Sequence, residues 1–347
     1  MPTPTPALAA PTTPDPMEAP RVRWGVLGPG GIANTFVRAV RAGTRSEVDA
    51  VGSRSAERAS SFARRHSVAR SHGSYEALVE DPAVDAIYVA TPHSGHHKHA
   101  LMALRAGKPV LVEKAFARNL AETDEVLEVA RDAGLFVGEA MWSRYLPQYD
   151  VVRRTVEAGA LGDVVLVQAD HGQRLYPDGP RRLADPALAG GALLDLGVYP
   201  VAFADHVLGG LEDIASRGVL SDEGVDVTLG ITGRAGGTLA RMTTTMAATS
   251  PNVASVVGTQ ARLELTGPGK FYGAATTVRL LGPDDTELDV FTPGHDEHGF
   301  RYQIAEVGRA LEAGRTEPWS VPWDATRRVM TLMDEVRRQV GVVYPGE

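Results

Sequence analysis

The chain has no cysteine. Disulfides, thiolate nucleophiles and cysteine-ligated metals are therefore excluded. It also lacks an excess of positive charge. Lys and Arg number 35 against 43 Asp and Glu, a formal net charge of -8, which argues against nucleic acid or an anionic membrane as the main partner. No uninterrupted apolar run reaches the ~18 residues of a membrane helix. The first twenty residues have neither a basic start nor an apolar core, so a secretory signal is not expected. They hold seven prolines among Thr and Ala, and residues 1–20 are read as a disordered or extended tail outside the fold.

The remaining composition is ordinary for a globular protein: 347 residues, 43% hydrophobic and 22% charged. That length suggests two domains with ample core. One stretch organises the rest. Val22 to Leu27 is an apolar strand that runs into Gly28-Pro29-Gly30-Gly31-Ile32-Ala33. This is the G-x-G-x-x-A dinucleotide fingerprint. Gly28 permits the tight turn, Gly30 lets a pyrophosphate approach the backbone, and Ala33 keeps the helix close to the strand. Gly31 and Ile32 open a helix whose free N–H groups and partial positive charge suit phosphates.

Further along, strands and helices alternate. Strands are expected at Glu47–Ser53, Asp85–Ala90, Pro109–Val112 and Leu135–Gly138. Helices are expected at Ala56–Arg65 (capped by Ser55), Gly95–Ala106 and Leu120–Ala133. The near-continuous apolar strands fit a sheet covered on both faces, so residues 21–143 read as a doubly wound parallel sheet. The rhythm then changes. After a helix at Tyr149–Ala158, a strand at Val164–His171, a polar loop from Arg174 to Gly191 and a helix at Ala192–Leu208, short strands follow one another between Gly, Pro and Asp turns. Residues 144–347 therefore read as an α+β domain with an open, mostly antiparallel sheet. The fold class is α/β, with the boundary near Ser143.

The end of the second strand reads Gly52-Ser53-Arg54-Ser55. An acidic residue there would grip the ribose 2′-OH of NAD. A serine and an arginine stand there instead, and a guanidinium holds a 2′-phosphate through parallel charge-assisted bonds. NADP(H) is expected in preference to NAD(H).

Together these motifs resemble the Gfo/Idh/MocA oxidoreductases. Four stretches carry the likeness: the Gly28 turn, Ala90-Thr91-Pro92-His93-Ser94-Gly95-His96, Val112-Glu113-Lys114, and Gly190-Gly191-Ala192-Leu193-Leu194-Asp195-Leu196-Gly197-Val198-Tyr199-Pro200. A fifth, Glu139 to Pro147, looks like the dimeric dihydrodiol dehydrogenase and NADP-dependent xylose dehydrogenase subgroup. The resemblance implies a Rossmann domain, a second α+β domain, and a substrate between them. The substrate would be a sugar, anhydro-sugar, polyol or dihydrodiol whose hydroxyl or carbonyl exchanges hydride with the cofactor. Thr91, Pro92, His93, His96, Glu113 and Lys114 would lie at the cofactor. Lys114, Asp195 and Tyr199 would be catalytic, with Tyr199 as acid/base, Lys114 lowering its pKa and Asp195 orienting the substrate hydroxyls or Lys114. Trp142 and Arg144, with Asp195 and Tyr199, would line the substrate pocket.

Independent chemistry agrees. A carbinol that gives up hydride needs a partner for its proton. A free phenol titrates near ~10, so a cationic neighbour is required for work near neutrality. Where the family pattern has proline after Glu-Lys, this chain has Ala115, which leaves the backbone there freer. The histidines at 96, 97 and 99 lack a matching ligand elsewhere, and no metal is expected. Two other readings stay open: a nucleotide-linked keto-sugar reductase, favoured by Arg174, Arg181 and Arg182, and a non-catalytic NADP(H) or sugar sensor. The family tends to pair through its open sheet, so a homodimer or homotetramer through the C-terminal sheet is expected, in the cytoplasm.

Overall fold

The computed structural model describes residues 6–268, 270–294 and 299–347. The chain first winds β1 (Arg23–Leu27), α1 (Gly31–Gly43), β2 (Glu47–Gly52), α2 (Ala56–Arg65), β3 (Arg70–His72), α3 (Tyr75–Val79), β4 (Ala86–Val89), α4 (His93–Arg105), β5 (Val110–Glu113), α5 (Leu120–Ala133) and β6 (Val137–Ala140). The six strands lie in the order β3-β2-β1-β4-β5-β6 and every pair is parallel. All residues of β4, β5 and β6 are buried, as expected for strands covered on both faces. The order reverses between β1 and β4, which is where open α/β sheets bind ligands.

Helix ends divide into two kinds. Ser55, Ser74 and Asn119 accept from the N–H groups of Arg58, Ala77 and Glu122 and so cap α2, α3 and α5. Each such cap contributes about 1 kcal/mol. The starts of α1 and α4, at Gly30 and Pro92, have no side-chain cap. These two helices follow β1 and β4, so the uncapped N–H groups stand at the point where the strand order reverses.

The chain continues through α6 (Pro147–Glu157), β7 (Val164–Gly172), a π turn (Leu193–Gly197), α7 (Val198–Leu208), β8 (Glu212–Leu220), β9 (Asp226–Ala235), β10 (Thr238–Thr245), β11 (Ala254–Gly258), β12 (Arg262–Thr266), β13 (Thr277–Leu281), β14 (Glu287–Phe291), α8 (Phe300–Glu312) and α9 (Trp323–Val340). The second sheet has the order β14-β13-β12-β11-β7-β10-β9-β8. Only the β7–β10 pair is parallel; the rest are antiparallel. The expectation of a doubly wound parallel sheet followed by a mostly antiparallel one is met. Strand β11 was not anticipated, since it is short and follows Pro251 and Asn252, the latter at φ +59°.

Two compact units result. One holds the parallel sheet, Pro14–Trp142, with α8 and the first half of α9; the other holds the second sheet from Ser143 and α9 from Thr331. Sequence order placed α8 with the later residues. In the structure its Phe300, Ile304, Val307 and Ala310 share a core with Phe36, Val37 and Val40 of α1. The stretch Pro186–Leu208 is long and apolar enough to cross a membrane, with an 18-residue window of mean hydropathy 1.5, but 89% of that window is buried within this fold.

The tail also departs from expectation. Its first five residues lie outside the described residues. The rest is extended but tied down: Leu8 N–H donates to Asp289 at 3.0 Å, Ala9 N–H to Thr155 at 3.0 Å, and the Thr12 hydroxyl to Asp150 at 2.9 Å. Pro16–Glu18 then forms a 3-10 turn capped by Asp15. Prolines remove donors without preventing these few remaining N–H groups from finding acceptors.

Candidate active site

In the first unit the glycine turn takes the geometry its sequence requires. Gly28 sits at φ +100°, and a Cβ there would lie 3.0 Å from the Thr91 methyl and 3.1 Å from the Ala90 carbonyl oxygen. A side chain is therefore excluded both by backbone conformation and by the neighbouring strand end. Gly30 is less confined, with 3.7 Å to the Ala90 oxygen, and a Cβ on Gly31 would meet nothing within 4 Å. The space above the turn is open, and the N–H groups of α1 face it without a cap. Those residues fit a dinucleotide pyrophosphate. Ser53 is buried and its hydroxyl accepts from Ser55 N–H at 3.2 Å. Arg54 is exposed at the end of β2, and its guanidinium takes part in no ion pair among the described residues.

The loops after β4 and β5 are locked together from behind. His96 is 1% exposed, and its two ring nitrogens each lie 2.8 Å from a carbonyl oxygen, those of Thr91 and Ala115. Its ring thus braces the Thr91-Pro92 and Lys114-Ala115 turns rather than presenting a nitrogen outward. The freedom expected after Lys114 is not found: Ala115 is buried and its carbonyl is bonded to the His96 ring. Glu113 is likewise turned inward, accepting from the Tyr88 hydroxyl and from Lys114 N–H. His93 is buried against His96. His97 pairs with Glu125 at 2.8 Å. His99 meets the Thr91 hydroxyl at 2.9 Å, and burial pushes its imidazole down to about 4, leaving it neutral at ordinary pH. Trp142 packs on Phe300, ring centroids 5.2 Å apart, as part of this unit's core.

In the second unit Asp195 and Tyr199 were expected on one α-helical face. Asp195 instead lies in the π turn and Tyr199 in the first turn of α7. π turns recur at functional sites because they redirect side chains. Asp195 is held by Arg182, Nη2 to Oδ1 3.1 Å. Tyr199 is 7% exposed, with its ring 4.5 Å from Tyr272 and 5.2 Å from His171. His171 Nδ1 donates to the Leu196 carbonyl at 3.0 Å. Its Nε2 is thereby the acceptor, facing Gln173 Nε2 at 2.8 Å, and that same nitrogen donates to the Tyr272 hydroxyl at 3.0 Å. His171, Gln173 and Tyr272 thus fix the slot in which the Tyr199 ring sits. No sequence motif singled out these three, and Arg182, expected to favour a phosphate-bearing substrate, pairs with Asp195.

Arg144 does not stand open to a substrate. Its guanidinium pairs with Asp205 at 3.0 Å, the side chains 8% and 4% exposed. Beside it, His206 Nε2 donates to the Tyr149 carbonyl at 2.9 Å, and burial pushes this imidazole down to about 3. Burial also pushes the Tyr149 phenol up.

Comparison with known proteins extends this geometry. Residues 22–140 match the oxidoreductase family with an NAD-binding Rossmann fold, and residues 149–264 match the GFO/IDH/MocA C-terminal domain. The chain is 37% identical to trans-1,2-dihydrobenzene-1,2-diol dehydrogenase of Danio rerio, covering 93% of this chain and 98% of the relative. The Homo sapiens enzyme of the same name is 33% identical over 94% and 99%. Among solved structures, a 3-ketoreductase from Actinomadura kijaniata in complex with NADP and TDP-benzene is 29% identical, with TM-score 0.79 over 92% of this chain and 98% of that one. The aldose-aldose oxidoreductase of Caulobacter crescentus shares the fold, with TM-score 0.81 at 22% identity over 92% of this chain and 98% of that one.

Proposed function

The chain belongs to the GFO/IDH/MocA oxidoreductase family, and on that premise we propose that it is an NADP(H)-dependent dehydrogenase of a ring-bearing hydroxyl substrate, a trans-dihydrodiol or a sugar. The observation that carries the substrate class is the aromatic wall around Tyr199, made with His171 and Tyr272. Flat faces of this kind suit an arene-derived or pyranose ring. The nucleotide-linked keto-sugar reading has less support. Arg182 is occupied by Asp195, and Arg174 lies 3.6 Å from Asp178, so that loop offers a diphosphate few uncommitted cations.

Gly28, Gly30 and Gly31 would hold the pyrophosphate on the start of α1, with Thr91 and Pro92 beside it and Ser53 and Arg54 at the adenosine ribose. Bound there, the nicotinamide supplies or accepts the hydride. The remaining chemistry is the protein's. The Tyr199 phenol exchanges a proton with the reacting oxygen, the Lys114 ammonium donates to that oxygen, and Asp195, oriented by Arg182, accepts from a neighbouring substrate hydroxyl. A panel of sugars and aromatic diols scored by NADPH absorbance tests the reading. Turnover of a diol or sugar is expected. Tight NADPH binding with no turnover of any member would favour a sensor instead.

Arg54→Ala is expected to lower kcat/KM for NADP by roughly ten- to a hundredfold, the value of a charge-assisted hydrogen-bond set, and to leave the value for NAD nearly unchanged. Equal wild-type values for the two cofactors would overturn the assignment.

We further propose that the chain pairs through the open face of the second sheet, in the cytoplasm. One face of that sheet is covered by α7 and the π turn. The other alternates Gln168 and Asp170 with Arg241 and Thr243, Ser255, Glu264 and Thr266 around a cavity of about 450 Å3. Arg262 and Arg279 lie beside Glu264 and Glu287, and Leu239 is 58% exposed. Mixed signs on one face suit a two-fold partner that presents the same face. Leu239→Arg is expected to shift the species seen by size-exclusion with light scattering toward monomer; a wild-type monomer would refute the pairing.

A further inference from the structure

The π turn that carries Asp195 begins on a buried carboxylate. Asp226, the first residue of β9, is 0% exposed. Its Oδ2 accepts from Leu193 N–H at 2.6 Å. The N–H groups of Ala192 and of Asp226 itself act on the carboxylate electrostatically. Its Oδ1 is buried and has no hydrogen-bond partner among the described residues. A buried acceptor left unpaired is costly, and a structural role alone would be served by an asparagine or serine.

The chain is shaped around this group. Gly191 stands at φ +113°, and a Cβ there would fall 2.2 Å from Oδ1. Gly191 therefore passes the carboxylate as no residue with a side chain could, while a Cβ on Gly190 would fall 2.5 Å from the Leu183 carbonyl oxygen. From the opposite side, the Tyr344 hydroxyl donates to the Gly190 carbonyl at 3.0 Å. The other ionisable groups that act on Asp226 are Arg337 of α9 and Tyr344. Arg337 is itself committed to Glu347 at 2.5 Å and lies 4.3 Å from the Tyr344 ring centroid. On β8 the residue paired with Asp226 is the uncharged Leu220.

We propose that Asp226 is a positioning residue for catalysis: its ionised carboxylate anchors the first N–H groups of the π turn and so holds Asp195 toward Arg182. An anion at a helix start is favourable, and here it fixes where the helix begins. Protonation converts one acceptor oxygen into a donor, and the anchor slackens. Burial pushes this carboxyl up to about 6, against the pull of the backbone N–H groups and Arg337. The sign follows. The folded-state value exceeds the unfolded one, so ionisation carries a stability cost, absent below the unfolded value and complete above about 6. The charge is retained at neutral pH although it opposes folding.

The proposal rests on the reading of Asp195 as a substrate-orienting group, and Asp226→Asn separates the two. At neutral pH the variant is expected to melt at or above the wild-type temperature, because the ionisation cost is gone. Its kcat is expected to fall roughly ten- to a hundredfold, the cost of a misplaced catalytic group, with NADPH affinity unchanged. The wild-type kcat is expected to decline as pH drops through about 6, and the variant is expected to lack that decline. A lower melting temperature with an unchanged acid limb would overturn the proposal. Amide hydrogen exchange over Gly190–Tyr199 supplies a readout that needs no substrate: faster exchange in the variant is expected, and wild-type protection there would refute the anchoring even if every substrate in the panel failed.

Discussion

Tyr199→Phe is expected to lower kcat by about a hundred- to ten-thousandfold, the usual contribution of a positioned acid/base, with NADPH binding unchanged. The change removes one oxygen and keeps the ring. The packing of the ring between Tyr272 and His171, at 4.5 and 5.2 Å, therefore survives, and loss of activity cannot be assigned to collapse of the slot. The companion variant Lys114→Met tests the proposed role of its ammonium in lowering the phenol's pKa. On that proposal, the rise of kcat for alcohol oxidation with pH is expected to move to more alkaline values in the variant, toward the ~10 of a free phenol. Near wild-type turnover in Tyr199→Phe, measured under single-turnover conditions, would remove the phenol from the mechanism.

The largest expected loss of stability comes from a residue with no catalytic task. Asp205→Ala leaves the Arg144 guanidinium, 8% exposed, without its counter-charge. Removing one member of a buried ion pair costs about 3–5 kcal/mol. For a unit of this size that corresponds to a drop of roughly 6–20 °C in melting temperature. His206 beside the pair is neutral, its imidazole pushed down to about 3 by burial, so it adds no second cation there. The double variant Arg144→Met/Asp205→Ala is expected to recover much of the loss, because it removes the uncompensated charge. Differential scanning calorimetry of the wild type and the two variants checks this, and equal melting temperatures for wild type and Asp205→Ala would show the pair to be idle.

How much of this was legible in the sequence depends on the distance over which each feature is encoded. The Gly28 turn, the Ser55 cap and the parallel strands are local, and they stand where the residues placed them. Asp195 and Tyr199 share one helical element, though its first turn is π rather than α. The reason lies 33 residues away, where Asp226 takes the Leu193 N–H. The slot around Tyr199 was invisible for the same reason: Gln173 reaches a tyrosine 99 positions later, and only the assembled sheet brings His171, Gln173 and Tyr272 to one place. Arg144 carried a charge that suggested a substrate, yet 61 positions later stands the carboxylate that claims it. The tail misled through composition, since prolines announce extension but say nothing of acceptors on a neighbouring helix.

Strand β7 sits in the middle of the second sheet, parallel to β10 on one side and antiparallel to β11 on the other. Its Gln168 is in register with Arg241 and with Ser255. Neither partner follows it directly in the chain. At ribosomal elongation speeds, β7 leaves the exit tunnel and waits on the order of ten seconds before both neighbours exist. Its valines and leucine face the cell unpaired for that interval. This half of the protein therefore folds late and by long loop closures, which makes it slow, and a chain that stalls before β11 presents an open strand to whatever binds such edges first.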